Sequence, residues 1–329
     1  MVTSTQIATQ LLNFSDTEYV SGALPDLEQR ESILLDEDFM GIAINAPRQL
    51  DTNTASTIPV ILASRYDGVR GWDIPLRSNC WLIAANPLDG QVSVAPCFQS
   101  EKAMESRGGL APASPGPRPS DEELEGEAAQ ISWCQGSAQL NLPWVGGLWE
   151  LTAVYFDWVS NTVPVKLLGV VSPPLPLASA VFPPTSSNSL PTYNRISSTP
   201  EAPSEGVSFI TRFDADDEGV QHLYIGSSLR IRKRMGLLLQ QPFQVLDCGK
   251  SRCVYGLIPL TLLVFGLNNS EYLRFSWQVP VYQILQEDVL DACLTLDAFP
   301  SDVEVSAGHY RCYLVLEGRV YGPSGFTVP

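Results

Sequence analysis

The sequence predicts an all-β protein with two tandem antiparallel β-sandwich domains. Runs of alternating apolar and polar residues recur along the chain, and clusters of Gly, Pro, Asn and Asp separate them, which is the pattern of short strands joined by turns. At 329 residues the chain is long enough for two domains, and its 26 prolines and 24 glycines supply many turns. The densest apolar segment, Val254–Leu285, has the pattern of a β-hairpin in a sandwich core.

The predicted hairpin begins with the apolar run Leu257–Leu267. Residues 268–270 (Asn-Asn-Ser) then supply a turn, because Asn tolerates left-handed backbone angles and Ser bonds its own backbone. Residues 272–279 alternate between polar and apolar side chains, which is the period of a half-buried strand. We expect the first strand to be buried on both faces and the second on one. A membrane helix needs about 20 consecutive apolar residues, and Pro259 and Gly266 interrupt this run.

Composition divides the chain into an arm, two domains and a linker. The insertion in the first domain combines Pro and Gly with an acidic run; it cannot bury enough apolar surface to offset its ordering entropy, so we predict a surface insertion or disordered loop. The linker is rich in Pro, Ser and Thr, which favours extended backbone. The parts are an N-terminal arm at 1–30, a first β-sandwich at 31–170 with the insertion at 100–130, a linker at 171–206 and a second β-sandwich at 207–329.

Strands are predicted wherever β-prone runs lie between turn signals. The arm is expected to be extended or to form a short helix at Thr5–Leu12, and Asp67–Gly71 is expected to be a loop. The first-domain strands are expected at Ser32–Leu35, Phe39–Ile44, Ile58–Ser64, Cys80–Ala85, Gln91–Phe98, Ala129–Cys134, Ala138–Leu142, Leu148–Trp158 and Thr162–Val170. Besides the hairpin, the second-domain strands are expected at Val207–Arg212, His222–Ile225, Leu229–Arg234, Gly236–Gln240, Phe243–Leu246, His309–Leu316 and Arg319–Val328, while Asp288–Leu296 fits a strand or a short helix.

Charge and cysteine usage restrict the classes of function. The net charge is −16, with 9 Lys/Arg against 21 Asp/Glu in residues 1–170 and 11 against 15 in residues 171–329. We therefore expect weak or no direct nucleic-acid binding and no membrane insertion. The N-terminus lacks the basic and apolar regions of a signal peptide, which favours synthesis in the cytoplasm. The seven cysteines are irregularly spaced, and we expect mostly reduced, buried thiols, although Cys248 and Cys253 would be able to pair in an oxidising compartment.

The two halves of the chain also resemble each other in short stretches. Such self-similarity is typical of a duplicated domain, here a duplicated β-sandwich with loops of unequal length. Residues 40–49 align with 235–244, residues 58–60 with 258–260, and residues 147–150 with 308–311.

The sequence offers no constellation of catalytic or metal-binding residues. It has two histidines, His222 and His309, and none of the common nucleophile, nucleotide-binding or zinc motifs. His309 and Cys312 are three residues apart, which places them on opposite faces of a strand. We therefore predict no enzyme activity, no cofactor and no bound metal.

One acidic segment imitates the start of a calcium loop. Asp214, Asp216 and Glu218 precede Gly219, but Ile225 occupies the position where an EF-hand has its bidentate Glu, and strands are expected on both sides. A solvated loop is the favoured interpretation, with calcium binding as the alternative.

The basic residues Arg230, Arg232, Lys233 and Arg234 are the candidate site residues of this sequence. In a strand, Arg230, Arg232 and Arg234 share one face, and such a row of guanidinium groups can bind carboxylates or phosphates. A solvated strand face paired with local acids is the alternative. We predict an interface at these residues, with an acidic partner surface or with nucleic acid as the two alternatives.

The segment His222–Arg234 resembles a run found in capsid proteins of picorna-like viruses, with the pattern G-x-x-x-x-S-L-R-x-x-x-K-R. The likeness rests on Gly226, the Ser228–Arg230 triplet and the Lys233–Arg234 pair, in a run that is shorter here. It implies a coat protein with two jelly rolls in one chain, which assembles with copies of itself or with sister chains into a virion after synthesis in the cytoplasm.

A second class of function fits the same architecture. Tandem immunoglobulin-like or fibronectin-like domains in a cytoplasmic, non-viral protein would recognise a protein or carbohydrate ligand, and a β-sandwich fold alone does not distinguish the two classes. The capsid hypothesis predicts self-assembly, whereas the binding-module hypothesis predicts a monomer with an external ligand.

Overall fold

The computed structural model describes residues 3–10, 38–51, 58–73, 79–88, 90–97, 117–125, 127–135, 146–169, 207–215, 221–234, 243–248, 251–267, 272–284, 289–298 and 307–328. These residues are mostly β and form several sheets, which confirms the predicted fold class at this level. The predicted strands Ser32–Leu35, Ala138–Leu142 and Gly236–Gln240, the predicted linker 171–206 and most of the insertion 100–130 lie outside the described residues.

The chain divides into two compact units, which are described separately. Unit 1 comprises Met1–Pro87 and Gln91–Ser172, and unit 2 comprises Leu88–Gly90 and Pro173–Pro329. Among the described residues, the elements of the first unit are α1 (Ser4–Gln10), β1 (Gly41–Asn45), β2 (Gln49–Asp51), β3 (Pro59–Asp67), α2 (Gly68–Asp73), β4 (Cys80–Ala85), β5 (Val92–Pro96), α3 (Asp121–Leu124), β6 (Glu127–Gln135), β7 (Gly147–Tyr155), β8 (Trp158–Val159) and β9 (Val163–Leu168).

The elements of unit 2 are all strands among the described residues. They are β10 (Val207–Ala215), β11 (Gln221–Arg234), β12 (Phe243–Cys248), β13 (Ser251–Gly266), β14 (Tyr272–Ile284), β15 (Val289–Ala298), β16 (Gly308–Leu316) and β17 (Arg319–Val328). None of the helices in the described part of the chain is long and apolar enough to cross a membrane.

Unit 1 contains two sheets that share one apolar core. The first sheet has the antiparallel order β1-β3-β6, and the second has the order β2-β9-β7-β4-β5, with β8 also paired to β7. Alternate residues on one face of each sheet are buried together, because a period of two places every second side chain on the same side. The core includes Ile42, Ile44, Val60 and Leu62 from the first sheet and Leu82, Ala84, Leu151, Ala153, Val163 and Val165 from the second.

The N-terminal helix α1 packs beside β1. Its Ile7 and Ala8 are buried, and Asn45 Nδ2 at the end of β1 donates a hydrogen bond to the Ala8 carbonyl at 3.3 Å. The helix lies within the predicted arm and close to the segment for which the sequence allows a short helix.

Unit 2 contains the predicted hairpin, and the structure confirms it. The antiparallel pairing of β13 with β14 runs from Cys253–Ile284 to Phe265–Tyr272. All six residues from Leu260 to Phe265 are buried, so this stretch of β13 is covered on both faces as expected. The strand begins at Ser251, earlier than predicted, because residues 251–256 also pair with β12. The sheets of unit 2 have the orders β10-β11-β15 and β12-β13-β16-β17, with β14 also on β13.

Three predicted elements differ from the structure. Two predicted strands at 222–225 and 229–234 form the single strand β11, because residues 226–228 pair with both β10 and β15 and the ladders outweigh the turn tendency of Gly-Ser-Ser. The predicted strand Leu148–Trp158 is divided into β7 and β8, because the chain turns at residues 156–157. For Asp288–Leu296, the structure confirms the strand alternative, as β15. The predicted loop at Asp67–Gly71 contains the start of the short helix α2.

The last hairpin of each unit has the same strand register. Gly147 pairs with Leu167 and Tyr155 with Trp158 in unit 1; Gly308 pairs with Val328 and Leu316 with Arg319 in unit 2, so each residue has its counterpart 161 positions later. In both hairpins the strand pairing shifts by one residue at corresponding positions. Strands β7 and β16 also have the same order of buried, half-buried and exposed residues. The predicted match of residues 147–150 with 308–311 is confirmed.

The strands beside these hairpins correspond as well. Ala85 pairs with Val92 and Glu150 in unit 1, and Phe265 pairs with Tyr272 and Arg311 in unit 2, so the β4–β5 hairpin has its counterpart 180 positions later in β13–β14. In this comparison of the two units, the position equivalent to Leu260 is Cys80 and not Val60. The predicted match of 58–60 with 258–260 is therefore wrong, because short apolar matches arise easily by chance. The match of 40–49 with 235–244 falls largely outside the described residues.

Candidate functional site

The predicted interface residues Arg230, Arg232, Lys233 and Arg234 lie at the end of β11. Arg232 stands directly opposite Asp291 of β15, an arrangement in which opposite charges attract across an antiparallel pair. The pairing of β11 with β10 ends at Leu229, so among the described residues this basic stretch pairs with β15 alone. The side chains of this stretch lie outside what the structure describes.

The other residues considered from the sequence do not converge on a site. His309 is exposed with its Nδ1 2.9 Å from Thr327 Oγ1, while Cys312 is fully buried, which confirms that they occupy opposite faces of β16. Asp214 lies in β10 opposite His222, and Asp216 and Glu218 are outside the described residues. In the described part of the chain, no three His, Cys, Asp or Glu side chains approach closely enough to hold a metal ion.

The structure instead assembles an aromatic cluster at one end of unit 1, formed by Tyr66, Tyr155 and Trp158. The Tyr155 ring lies 6.0 Å from the Tyr66 ring and 5.6 Å from the Trp158 ring, both tilted by 58°, which is a favourable geometry for aromatic pairs. Tyr155 is buried, whereas Tyr66 and Trp158 are half-buried against the core. The Tyr66 ring also covers Gly71, where an added Cβ would lie 2.1 Å from the ring, so only glycine fits there.

Arg70 joins the cluster from α2. Its guanidinium carbon lies 5.0 Å from the centre of the Trp158 ring, and its Nη2 lies 3.9 Å from Asp157 Oδ2. The Arg70 backbone N–H donates to Asp67 Oδ1 at 2.7 Å, which fixes the start of the helix. The Arg70 and Asp157 side chains are about one third exposed, at 34% and 32%. The cluster therefore presents a cation, a carboxylate and two aromatic rings to solvent.

An acidic helical turn lies beside α2. The turn α3 contains Asp121, Glu122 and Glu123, all exposed, and Ser120 and Glu123 hold it with a reciprocal capping box. Hydrogen bonds from the Ser120 backbone and hydroxyl lower the pKa of the Glu123 carboxyl. Part of the predicted insertion is thus an ordered, negatively charged turn, and β6 begins at Glu127 inside the predicted boundaries.

The hairpin that carries Trp158 turns through a left-handed residue. Phe156 adopts a φ of 50°, a value that costs a non-glycine residue roughly 1–2 kcal/mol. Its counterpart in unit 2, Glu317, has a φ of 51°, so this conformation belongs to the turn that both hairpins share.

The corresponding hairpin of unit 2 shows that the fold does not require aromatic residues here. The counterparts of Tyr155 and Trp158 are Leu316 and Arg319, and the turn between them is Glu317-Gly318. Identical strand register is therefore compatible with an aliphatic residue and an exposed arginine. Of these two corresponding hairpins, only that of unit 1 has aromatic residues at these positions, which favours the cluster as the candidate functional site.

Comparisons with known proteins do not identify the chain. No protein-family model matches it, and no curated protein matches it significantly. Among solved structures, the receptor tyrosine kinase Torso covers 91% of this chain and 77% of its own at 6% identity and a TM-score of 0.16. The match to the C-terminal domain of AspA from Streptococcus pyogenes covers 88% of this chain and 100% of that domain, at 7% identity and a TM-score of 0.18. The match to the C-terminal domain of BspA from Streptococcus agalactiae covers 89% of this chain and 98% of that domain, at 8% identity and a TM-score of 0.16. TM-scores this low support no inference about function or domain arrangement.

This cluster was not predictable from the sequence because its residues come from two distant segments, 66–70 and 155–158. The β-prone run Leu148–Trp158 predicts a strand, but its end meets the end of β3 only through the packing of the two sheets. The tyrosine and arginine of the first segment and the tyrosine and tryptophan of the second were the one signal in the sequence.

Replacing Tyr155 with phenylalanine is expected to reduce the amount by which the free energy of unfolding falls as the pH rises above about 10. Burial, followed by the neighbouring Tyr66 and Cys80, raises the pKa of the Tyr155 phenol, and Arg70 offsets this in part. Because the folded state binds the phenolic proton more tightly, this stabilisation is complete below the ordinary pKa of about 10 and is lost above it, by about 1.4 kcal/mol per pH unit. Urea unfolding at pH 9 and pH 11 measures how much the free energy of unfolding falls between the two pH values. An equal fall in the wild-type protein and in Tyr155→Phe would contradict the raised pKa of Tyr155.

Proposed function

We propose that the protein is a non-enzymatic structural subunit that binds copies of itself or sister chains, with the aromatic cluster and Arg70 as a contact point. The observation that carries the proposal is the combination of Trp158, Tyr66 and Arg70 at one partly exposed position. Trp, Tyr and Arg are the residue types that contribute most to protein interfaces, since they combine large apolar contact with directed polar groups.

The charges around the cluster suggest the chemistry of the partner surface. Asp67 and Asp157 lie within the cluster and the acidic turn α3 lies beside it, so a basic partner surface is the complementary one. The basic residues at the end of β11 provide such a surface on another copy of the chain. A contact between two different surfaces repeats from copy to copy and generates a ring where the rotation closes and an open filament where it does not.

A capsid protein is the most specific form of this proposal. The resemblance of His222–Arg234 to the coat proteins of picorna-like viruses supports it, as do the two units of mostly β structure. In this form two jelly-roll domains assemble with sister chains into a virion that is built in the cytoplasm. Electron microscopy of the protein expressed with its genomic neighbours should then reveal closed shells. A stable monomer at every tested pH and salt concentration would argue against both forms.

Replacing Arg70 with alanine is expected to weaken self-association about 30-fold or more, because truncation of an interface hot spot costs about 2 kcal/mol or more. The Arg70→Ala variant should remain folded, since its ion pair and its ring contact are each worth about 1 kcal/mol or less at a partly exposed site. Light scattering and sedimentation velocity at several salt concentrations measure the association constant.

Arg118→Ala is the matched control. Arg118 also forms an ion pair, with Asp121 at 2.8 Å, and its side chain is 41% exposed, but it has no place in the aromatic cluster. Association that changes equally in both variants indicates a general charge effect, and association unchanged in Arg70→Ala rules out the cluster as the contact.

A binding module for an external protein or carbohydrate ligand is the second candidate. Partly exposed aromatic rings beside the carboxylates of Asp67 and Asp157 favour it, because rings stack on sugar faces while carboxylates accept hydroxyl hydrogen bonds. A monomer whose Trp158 fluorescence changes on titration with a glycan set, and not in Asp157→Asn, would support this candidate over self-assembly.

A further inference from the structure

Two cysteines of unit 1 face each other across the β4–β5 hairpin. Trp81 pairs with Pro96, and the Cys97 backbone N–H donates to the Cys80 carbonyl at 2.9 Å, so Cys80 and Cys97 form the next cross-strand pair. Directly opposite residues of an antiparallel pair have Cα atoms about 5.5 Å apart, which lies within the range that a disulfide spans.

The side chains of both cysteines are on the core face of the sheet. Cys80 alternates with Leu82 and Ala84, Cys97 alternates with Ala95, and all five belong to the same core cluster. Cys80 and Cys97 are 1% and 3% exposed, and neither is part of a disulfide. Cβ atoms in such a pair are roughly 4.5–5.5 Å apart and a disulfide needs about 3.8 Å, so a small local closure of the hairpin brings the sulfurs into bonding distance.

The fold does not require cysteine at these positions. In the corresponding hairpin of unit 2 the same pair of positions holds Leu260 and Trp277, which are directly opposite in β13 and β14. The sequence of unit 2 therefore has large apolar residues, not cysteines, at this pair of positions. The pair suggested by the sequence is less favourable, because Cys248 stands opposite Ser251 and Cys253 opposite Leu246, which leaves the two cysteines on a diagonal.

We propose that Cys80 and Cys97 form a reversible disulfide, and that this hairpin is a redox-sensitive modification site of unit 1. The oxidant is a small-molecule disulfide such as oxidised glutathione. One protein thiolate attacks it and forms a mixed disulfide, releasing one reduced thiol; the second protein thiolate then attacks the mixed disulfide and releases the other. Two protein thiols are oxidised by two electrons, and one small-molecule disulfide is reduced to two thiols.

The position of Cys80 connects this modification to the aromatic cluster. On its other side Cys80 pairs with Tyr155 of β7, the buried ring at the centre of the cluster. Closing the hairpin shifts β4 against β7 and therefore acts on the ring that supports Trp158. Because both thiols are buried, oxidation proceeds through local opening of the hairpin and is faster under conditions that promote opening.

The experiment is a redox titration of the full-length protein in buffers of reduced and oxidised glutathione, followed by alkylation, proteolysis and mass spectrometry. We expect a linked peptide containing Cys80 and Cys97, lighter by two hydrogens than the separate peptides, that disappears on return to reducing buffer. Low, non-denaturing urea should accelerate its formation, and the oxidised protein should unfold at a temperature several degrees higher.

Two variants test the specificity of the pair. Cys97→Ala should abolish the linked peptide, whereas Cys312→Ser should retain it, because Cys312 is equally buried but stands opposite Val264 and Ser324. The proposal is overturned when Cys80 and Cys97 stay separately alkylated at every redox potential, with and without low urea, or when they link only to other cysteines.

Discussion

Replacing Asn161 with leucine is expected to lower the free energy of unfolding of unit 1 by about 2–5 kcal/mol. The Asn161 side chain acts as a substitute strand for the edge of β1: its Oδ1 accepts a hydrogen bond from the Ile44 N–H at 3.0 Å, and its Nδ2 donates to the Ile44 carbonyl at 2.9 Å. Ile44 is fully buried. Leucine has a similar size but leaves both backbone groups without these partners, at about 1–3 kcal/mol for each.

Chemical denaturation of unit 1 measures this loss, and Thr162→Val is the neighbouring control. Thr162 is exposed and its hydroxyl lies 3.0 Å from that of Thr152, so the control removes one side-chain contact and no backbone bond. We expect it to cost about 1 kcal/mol or less. Asn161→Asp retains the acceptor and loses the donor, so its cost should fall between the two. Equal stability of the leucine and valine variants would show that the two hydrogen bonds between Asn161 and Ile44, which connect the two sheets of unit 1, contribute little to the free energy of unfolding.

The Asn161 hydrogen bonds lie at the break between β8 and β9, the two short partners of β7. At this break the Ser160 hydroxyl accepts from the Ala153 N–H at 2.8 Å and donates to the Asn161 carbonyl at 2.8 Å. The Asn161 side chain reaches β1 from this position. The counterparts in unit 2 are Tyr321 and Gly322, at the place where the β16–β17 register shifts. Because glycine has no side chain, the irregularity is present there without the bonds that Asn161 forms in unit 1.

The sequence predicted local structure wherever one pattern was decisive. Strand β4 was predicted with its observed ends, because Cys80–Ala85 is a continuous apolar run bounded by a clear turn signal. The β13–β14 hairpin followed from strict alternation after a turn. Strand β11 was divided wrongly, since pairing on both sides keeps Gly226 in the ladder despite its turn tendency.

The candidate site was not predictable from the same patterns. Sequence spacing says nothing about the approach of Arg70 to Trp158 or of Cys80 to Tyr155, which depends on the order and register of strands. Asn161 looked like an ordinary loop residue because its two hydrogen bonds reach a strand 117 positions away. The Cys80–Cys97 pair was closer to prediction, because a hairpin that turns at residues 86–91 places them opposite each other.

Alanine substitution at Leu82 and at Leu262 is expected to destabilise the two units separately, each by about 2–5 kcal/mol. Both leucines are fully buried and occupy corresponding positions, 180 residues apart, in the β4–β5 and β13–β14 hairpins. Each is flanked by the strand on either side, so truncation leaves a cavity that the neighbouring strands cannot fill. The neighbours are Ala95 and Ala153 for Leu82, and Phe275 and Leu314 for Leu262.

Because the chain forms two compact units, we expect two unfolding transitions, with Leu82→Ala lowering one and Leu262→Ala the other. Differential scanning calorimetry resolves which transition moves, and Leu148→Ala is the control because Leu148 is 37% exposed on β7. Its effect should be within about 1 kcal/mol. A single transition that both core variants lower together would mean that the units unfold as one cooperative body. Two transitions that move independently would support the duplicated hairpins as the centres of two separately stable folds.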